Sequence, residues 1–134
     1  MELLINIDVD DMERAIVFYQ TGLDLRPGRR LFGGSVVEMI GASTRIYLLA
    51  KPSGSSASTA APLRRDYQRH WTPVHLDFVV EDITAAVQRA SAAGATLEGE
   101  IQAHEWGRLA VMSDPFGHGF CFLQFAGKGY DEVA

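Results

Sequence analysis

The chain has 134 residues, 47% hydrophobic and 22% charged, with a formal net charge of −5. That length suits one domain with a usable core, and the composition is ordinary for a globular protein. An acidic balance without a dense basic run argues against nucleic-acid binding: the one basic cluster, Arg64-Arg65-Asp66-Tyr67-Gln68-Arg69-His70, is interrupted by Asp66 and reads as a solvated linker. No apolar run is long enough to span a bilayer, and the opening Met-Glu-Leu-Leu-Ile-Asn lacks a basic leader. The expectation is therefore no membrane partner and a cytoplasmic location. The lone cysteine, Cys121, leaves no internal disulfide.

Residues 3–9 read as a strand, with Leu3, Ile5, Ile7 and Val9 on one side and Leu4, Asn6 and Asp8 on the other. Asp10 is placed to cap the following helix, with Glu13 as its capping-box partner. Met12, Ala15, Ile16 and Tyr19 form the helix's buried stripe, and Gly22 stops it. A short strand is expected within 25–32, followed by a Gly33-Gly34 break. Strands over 35–40 and 44–50 flank the Gly41-Ala42-Ser43 turn. The stretch 51–72 is small and polar from Pro52 to Pro62 and reads as a mobile tether; a lid ending in the aromatic and basic groups of 67–71 is the alternative.

The second half repeats the order of the first. Residues 74–80 form a strand, Asp82 caps a helix that turns Ile83, Ala86, Val87 and Ala90 inward, and Gly94 ends it. Strands follow over 96–103, 107–112 and 118–125, the last after an Asp114-Pro115-Phe116-Gly117 turn. The tail after Phe125 is expected to fray or to dock on a partner chain. In this internal repeat Leu4 matches His75, Phe32-Gly33 matches Trp106-Gly107, and Tyr47 matches Cys121.

A doubled β-α-β-β-β unit, the opening Phe78-Val79-Val80-Glu81-Asp82-Ile83 and the turn Asp114-Pro115-Phe116-Gly117-His118-Gly119 together resemble the vicinal oxygen chelate superfamily. That group includes glyoxalase I, extradiol dioxygenases, fosfomycin-resistance enzymes and bleomycin-resistance proteins. The resemblance implies an α+β fold in which two tandem modules form an open, cleft-bearing sheet, helices outside and ligand within. It implies a single glyoxalase-like domain over 1–134, with modules at about 1–51 and 73–126, a linker at 52–72 and a tail at 127–134. It also implies a homodimer. Strand parity then turns Leu4, Asn6, Asp8, Arg45, Tyr47, Leu49, His75, Asp77, Val79, Cys121 and Leu123 towards the cleft.

Metal-using members of the superfamily hold a divalent ion at four positions, which fall here on Leu4, Tyr47, His75 and Cys121. Leu4 has no donor, and Tyr47 would have to ionise from a reference pKa near ~10. His75 is the one ordinary ligand, while Cys121 suits zinc rather than harder ions. Asp77, Asp8 or His104 could in principle complete the set, but Asp77 is expected about 6–7 Å further up the strand from His75. The expectation is no cofactor, with a divalent metal at His75 as the alternative. His75 then reads as a hydrogen-bonding cleft residue and Cys121 as a small buried hydrophobe.

Four further groups complete the inventory. A Cys121–His75 nucleophile pair is conceivable, but nothing supplies oxyanion donors or an orienting third group. Trp106 either stacks on a ligand or packs at the sheet rim, and alternation sends His104 and Glu105 to opposite sides. Glu38, alone in an apolar strand, either faces the cleft or pairs with an arginine such as Arg45 across the hairpin. His118 reads as positional. The candidate ligand-binding set is His75, Tyr47, Cys121, Arg45, Asp77, Asn6, Trp106 and Glu38. The functional expectation is a protein that binds a small organic molecule between its modules without the usual metal set. The alternative is a glyoxalase-like lyase, isomerase or dioxygenase with a degenerate metal site.

Overall fold

The computed structural model describes Met1 to Ala134 and divides them into two units, Met1–Gln68 and Arg69–Ala134. The first runs β1 (Ile5–Val9), α1 (Met12–Thr21), β2 (Arg26–Leu31), a 3-10 turn (Phe32–Gly34), β3 (Val36–Ile40) and β4 (Ile46–Ala50). Its sheet has the order β1-β4-β3-β2, with β1 parallel to β4 and the other pairs antiparallel. Val37, Met39, Ile46 and Leu48 alternate onto the face beneath α1, which buries Ala15, Ile16, Phe18 and Tyr19. Phe18 joins the expected stripe, and Met12 is only half-buried.

The α1 cap is Asp11, not Asp10. Asp11 is extended, and its Oδ1 accepts from the Arg14 amide at 3.1 Å. With the helix starting one residue later, Glu13 becomes its second residue and cannot close a capping box, which needs the third. Glu13 pairs with Arg30 at 3.0 Å instead. Gly22 takes an ordinary right-handed C-cap conformation, and the left-handed residue is Asp24 (φ 58°).

Residues 51–72, expected as a small, polar tether, carry regular structure. They contain a hairpin of β5 (Ser56–Ser58) and β6 (Ala61–Arg64). Arg65 Nε sits 2.6 Å from Asp8 Oδ2, and the Tyr67 hydroxyl donates to the Lys51 carbonyl at 2.6 Å. Side chains at the end of the stretch thus pin a segment whose composition alone reads as flexible.

The second unit runs β7 (Leu76–Val79), α2 (Ile83–Ala92), β8 (Thr96–Leu97), β9 (Gln102–His104), β10 (Gly107–Ser113) and β11 (Gly119–Phe125), then a 3-10 turn at Gly129–Glu132. Its order, β7-β11-β10-β8, matches that of the first sheet when β8 and β9, both paired to β10, are counted as one position, and β7 runs parallel to β11. The α2 expectations hold: Asp82 accepts from the Ala85 amide at 3.0 Å, and Ile83, Ala86, Val87 and Ala90 are all buried. The strand expected over 96–103 is two short ones, broken where Gly99 turns left-handed (φ 86°). The tail folds back on its own unit, where the Tyr130 ring meets Phe125 at 4.9 Å and Trp106 at 5.4 Å. No helix of the chain is long and apolar enough to cross a membrane.

Asp114 organises the turn before β11. It is buried, and its Oδ1 accepts from the Phe116 and His118 amides at 2.8 and 2.9 Å. Asp114→Ala strands both donors and is expected to cost ~2 kcal/mol. Asp82→Ala, which removes a solvent-accessible cap, is expected to cost ~1 kcal/mol. Urea unfolding at pH 7 checks the order; an Asp114→Ala effect no larger than that of Asp82→Ala contradicts it.

Candidate functional site

Register determines what meets on the helix-free face of the second unit. Cys121 pairs with Asp77 on one side and Val111 on the other, so the three side chains share a face. His75 precedes β7 with the same parity as Asp77, and its Nε2 lies 3.1 Å from Asp77 Oδ1. The ligand atoms of His75, Asp77 and Cys121 all lie within 4.8 Å of one another. This corrects the expectation that Asp77 stands too far up the strand: backbone spacing separates the residues, but the imidazole reaches across it.

Cys121 is 7% exposed. Burial, then the charge and hydrogen bond of Asp77, push its thiol up to about 11. An imidazole-activated thiolate at neutral pH, as a nucleophile pair requires, is therefore disfavoured.

A hollow of about 340 Å³ opens beside this cluster, walled by Leu109 and Val111, with Trp71 and Arg69 also lining it. That volume is at the small end of the ~300–1,000 Å³ usual for ligand pockets. Arg69 is clamped by Glu98 through two contacts, Nε to Oε2 at 2.8 Å and Nη2 to Oε1 at 2.9 Å. The clamp holds the Glu98 carboxyl below the usual range. The guanidinium lies against Gly119, where a Cβ would come within 2.9 Å of Nη2, so a larger residue there would push the end of the arginine aside. Next to it, the His70 amide donates to the Gly117 carbonyl at 3.2 Å, and His70 Nε2 sits 2.9 Å from His118 Nδ1. His118 thus has the positional role expected of it. The residues leading into Trp71 are tied down by these contacts, while the Trp71 ring itself is 79% exposed.

The first unit uses its corresponding face differently. Glu38 and Asn6 both pair in register with Tyr47, so all three share a side. Glu38 is 2% exposed and is gripped by Arg29, with Nε to Oε1 at 2.6 Å and Nη2 to Oε2 at 2.9 Å. The Arg29 amide and the Tyr47 hydroxyl also donate to it, at 3.1 and 3.2 Å. Arg45 approaches only to 3.9 Å. The chief partner is therefore Arg29, not Arg45. Hydrogen bonding from Arg29 holds the Glu38 carboxyl at about 2, against the opposing effect of burial. Arg45 and Leu4 instead line a separate, open depression near Ile40 and Thr44.

Trp106 is not brought to the hollow. It stacks on His104 at 5.0 Å with the rings 6° from parallel, and packs on Phe125 and Tyr130. The ring packs at the sheet rim, where the tail supplies an aromatic partner. Arg69 and Trp71 belong to the aromatic and basic end of the linker, whereas nothing in the sequence marks Leu109 and Val111 as lining residues.

The four positions of the superfamily's metal set do not fit an ion here. Leu4 offers only carbon, and the Tyr47 hydroxyl is engaged in donating to Glu38. No chemistry is derived through that set.

The profile of the family described as Glyoxalase-like domain matches residues 4–123. The chain belongs to this family. It is thereby a member of the vicinal oxygen chelate superfamily, and solved structures agree on the fold. The fosfomycin resistance protein FosX of Listeria monocytogenes superposes with a TM-score of 0.74 at 15% identity, covering 100% of this chain and 98% of that one. A glyoxalase/bleomycin resistance protein/dioxygenase family enzyme of Burkholderia phytofirmans gives 0.71 at 18% identity, over 92% and 97%. TnmS3, an antibiotic binding protein from Streptomyces, gives 0.64 at 23% identity, over 94% and 96%. At such identities the likeness is one of fold. Among curated relatives, an uncharacterized protein of Mycobacterium bovis is 46% identical over 48 residues, which is 35% of this chain and 32% of that protein. The matched stretch thus spans about a third of that relative's length.

The Glu38 grip has a pH signature. Its carboxyl is depressed in the fold, so the stabilisation is complete above the ordinary 4.5 and is lost as pH falls towards about 2. Glu38→Gln is expected to be less stable at pH 7 and to lose less on acidification between pH 5 and 2. Denaturant unfolding across that range checks it; parallel losses in both proteins contradict it.

Proposed function

We propose that this glyoxalase-like protein binds a small planar or sugar-bearing organic molecule in the hollow of its second unit, without the four-position metal set. The observation that carries the reading is the make-up of that hollow. Its walls are apolar, an exposed indole stands at its rim, and a few polar groups converge on it from His75 and Arg69. Small-molecule sites have this composition, with apolar area for affinity and few polar atoms for orientation. An aromatic ring that is apolar on its faces and polar at one edge suits a planar or sugar-bearing guest. The clamped Arg69 and the His70–His118 contact hold the wall in place before any ligand arrives, which lowers the ordering cost of binding. The antibiotic-binding description of TnmS3 supports the reading at the level of the shared fold.

Two tryptophans, Trp71 and Trp106, make the test direct. The intrinsic fluorescence of the whole chain is titrated with a panel of planar and glycosylated antibiotics, in a chelator. Saturable quenching is expected. Trp71→Ala should weaken binding about tenfold, which corresponds to the ~1.4 kcal/mol of one stacking contact. Trp106→Phe should leave affinity within about twofold, a change of under ~0.5 kcal/mol. No saturation with any compound, or affinity indifferent to Trp71→Ala, overturns the reading.

A further inference from the structure

We propose that His75, Asp77 and Cys121 form a zinc(II) site held by the second unit alone, with its remaining coordination position open to the hollow. The inference goes beyond small-molecule binding and does not depend on it.

Three unlike donors converge: an imidazole nitrogen, a carboxylate oxygen and a sulfur, all within 4.8 Å of one another. Zinc bonds of about 2.0–2.3 Å place tetrahedral donors roughly 3.3–3.8 Å apart. The His75–Asp77 separation of 3.1 Å is already near that. The longer separations close by rotation of the two outer side chains, which are 52% and 38% exposed. Cys121 stays fixed, because β11 lies between β7 and β10 and its side chain is buried.

Charge and softness select the ion. A thiolate, a carboxylate and a neutral imidazole carry two negative charges, which a divalent ion neutralises. On binding, the sulfur–zinc bond replaces the sulfur–hydrogen bond, and the proton passes to solvent. Sulfur and imidazole together favour zinc over magnesium or manganese, which prefer all-oxygen shells. Three protein ligands leave one position free, as in zinc sites that take water or a ligand atom. His75 and Cys121 both line the hollow, so that position is reachable from solvent.

The site is distinct from the superfamily's four-position set. Asp77 belongs to none of those positions, and Leu4 and Tyr47 of the first unit take no part. Cross-strand pairing of Asp77 with Cys121 replaces the ligands that the first module would otherwise supply.

The full-length chain, reduced and stripped with chelator, is titrated with zinc sulfate by calorimetry and with cobalt(II) chloride by absorption. One ion per chain is expected. Cobalt should give a thiolate charge-transfer band and the intense visible bands of a four-coordinate ion, and the charge-transfer band should vanish in Cys121→Ser. His75→Ala and Asp77→Asn should each weaken zinc binding at least tenfold, with circular dichroism unchanged from the parent. Magnesium and manganese should not compete. No one-to-one binding, a weak six-coordinate cobalt spectrum without the thiolate band, or undiminished affinity in Asp77→Asn overturns the proposal. Antibiotic binding measured in chelator succeeds or fails separately, so the two readings are distinguished.

Discussion

Neighbouring side chains leave a pleated strand on opposite sides, and residues paired across strands share a side. In the second unit this alternation is locked by the parallel pairing of β7 with β11. Leu76, Phe78, Phe120 and Phe122 take the helix side, where Phe78 meets Phe120 and Phe122 at ring distances of 5.8 and 6.3 Å. Asp77 and Cys121, interleaved with them, must take the other. A one-residue slip would bury Asp77 under α2 and bring phenylalanines out of the core. The apolar core therefore positions the polar cluster, and the cost of slipping the core is what keeps that cluster together.

The same alternation has different consequences in the two units. In the first, the face away from α1 spends its polar groups on one another: Arg29 and Tyr47 saturate Glu38, and a buried carboxylate is made tolerable. In the second, the corresponding face carries no such grip. Its arginine, Arg69, comes from outside the sheet and is held at the wall by Glu98, leaving His75 and Cys121 to line the hollow with Asp77 beside them. Equal strand order with unequal furnishing gives a face of mutually paired polar groups in one unit and a more open, mixed face in the other.

Features governed by local spacing were legible in the sequence. The α2 stripe, the Asp82 cap, the Asp114 turn and the sides taken by Tyr47 and Cys121 follow from periods of 3.6 and 2 and from short-range hydrogen bonds. What was not legible depends on partners distant in sequence. Arg29 finds Glu38 because a register shift between Pro27 and Arg30 re-aims β2, and nothing in Arg26-Pro27-Gly28-Arg29-Arg30 says which arginine turns inward. The Arg69–Glu98 clamp spans 29 residues, and Tyr130 reaches back to Trp106 from the tail. The hairpin at 56–64 is poor in strand-forming residues and is secured by Arg65 and Tyr67 instead. The His75–Asp77 contact is set by side-chain length, which strand spacing alone does not reveal.

The central claim, a ligand site on the helix-free face of the second unit, is tested most directly by following the two indole N–H signals in a proton–nitrogen correlation spectrum as an antibiotic from the fluorescence panel is added in chelator. The Trp71 signal and the amides of Val111 and Cys121 should shift saturably while the Trp106 indole stays in place. Shifts centred on Trp106, or on first-unit residues such as Tyr47 and Arg45 with Trp71 unmoved, would contradict it.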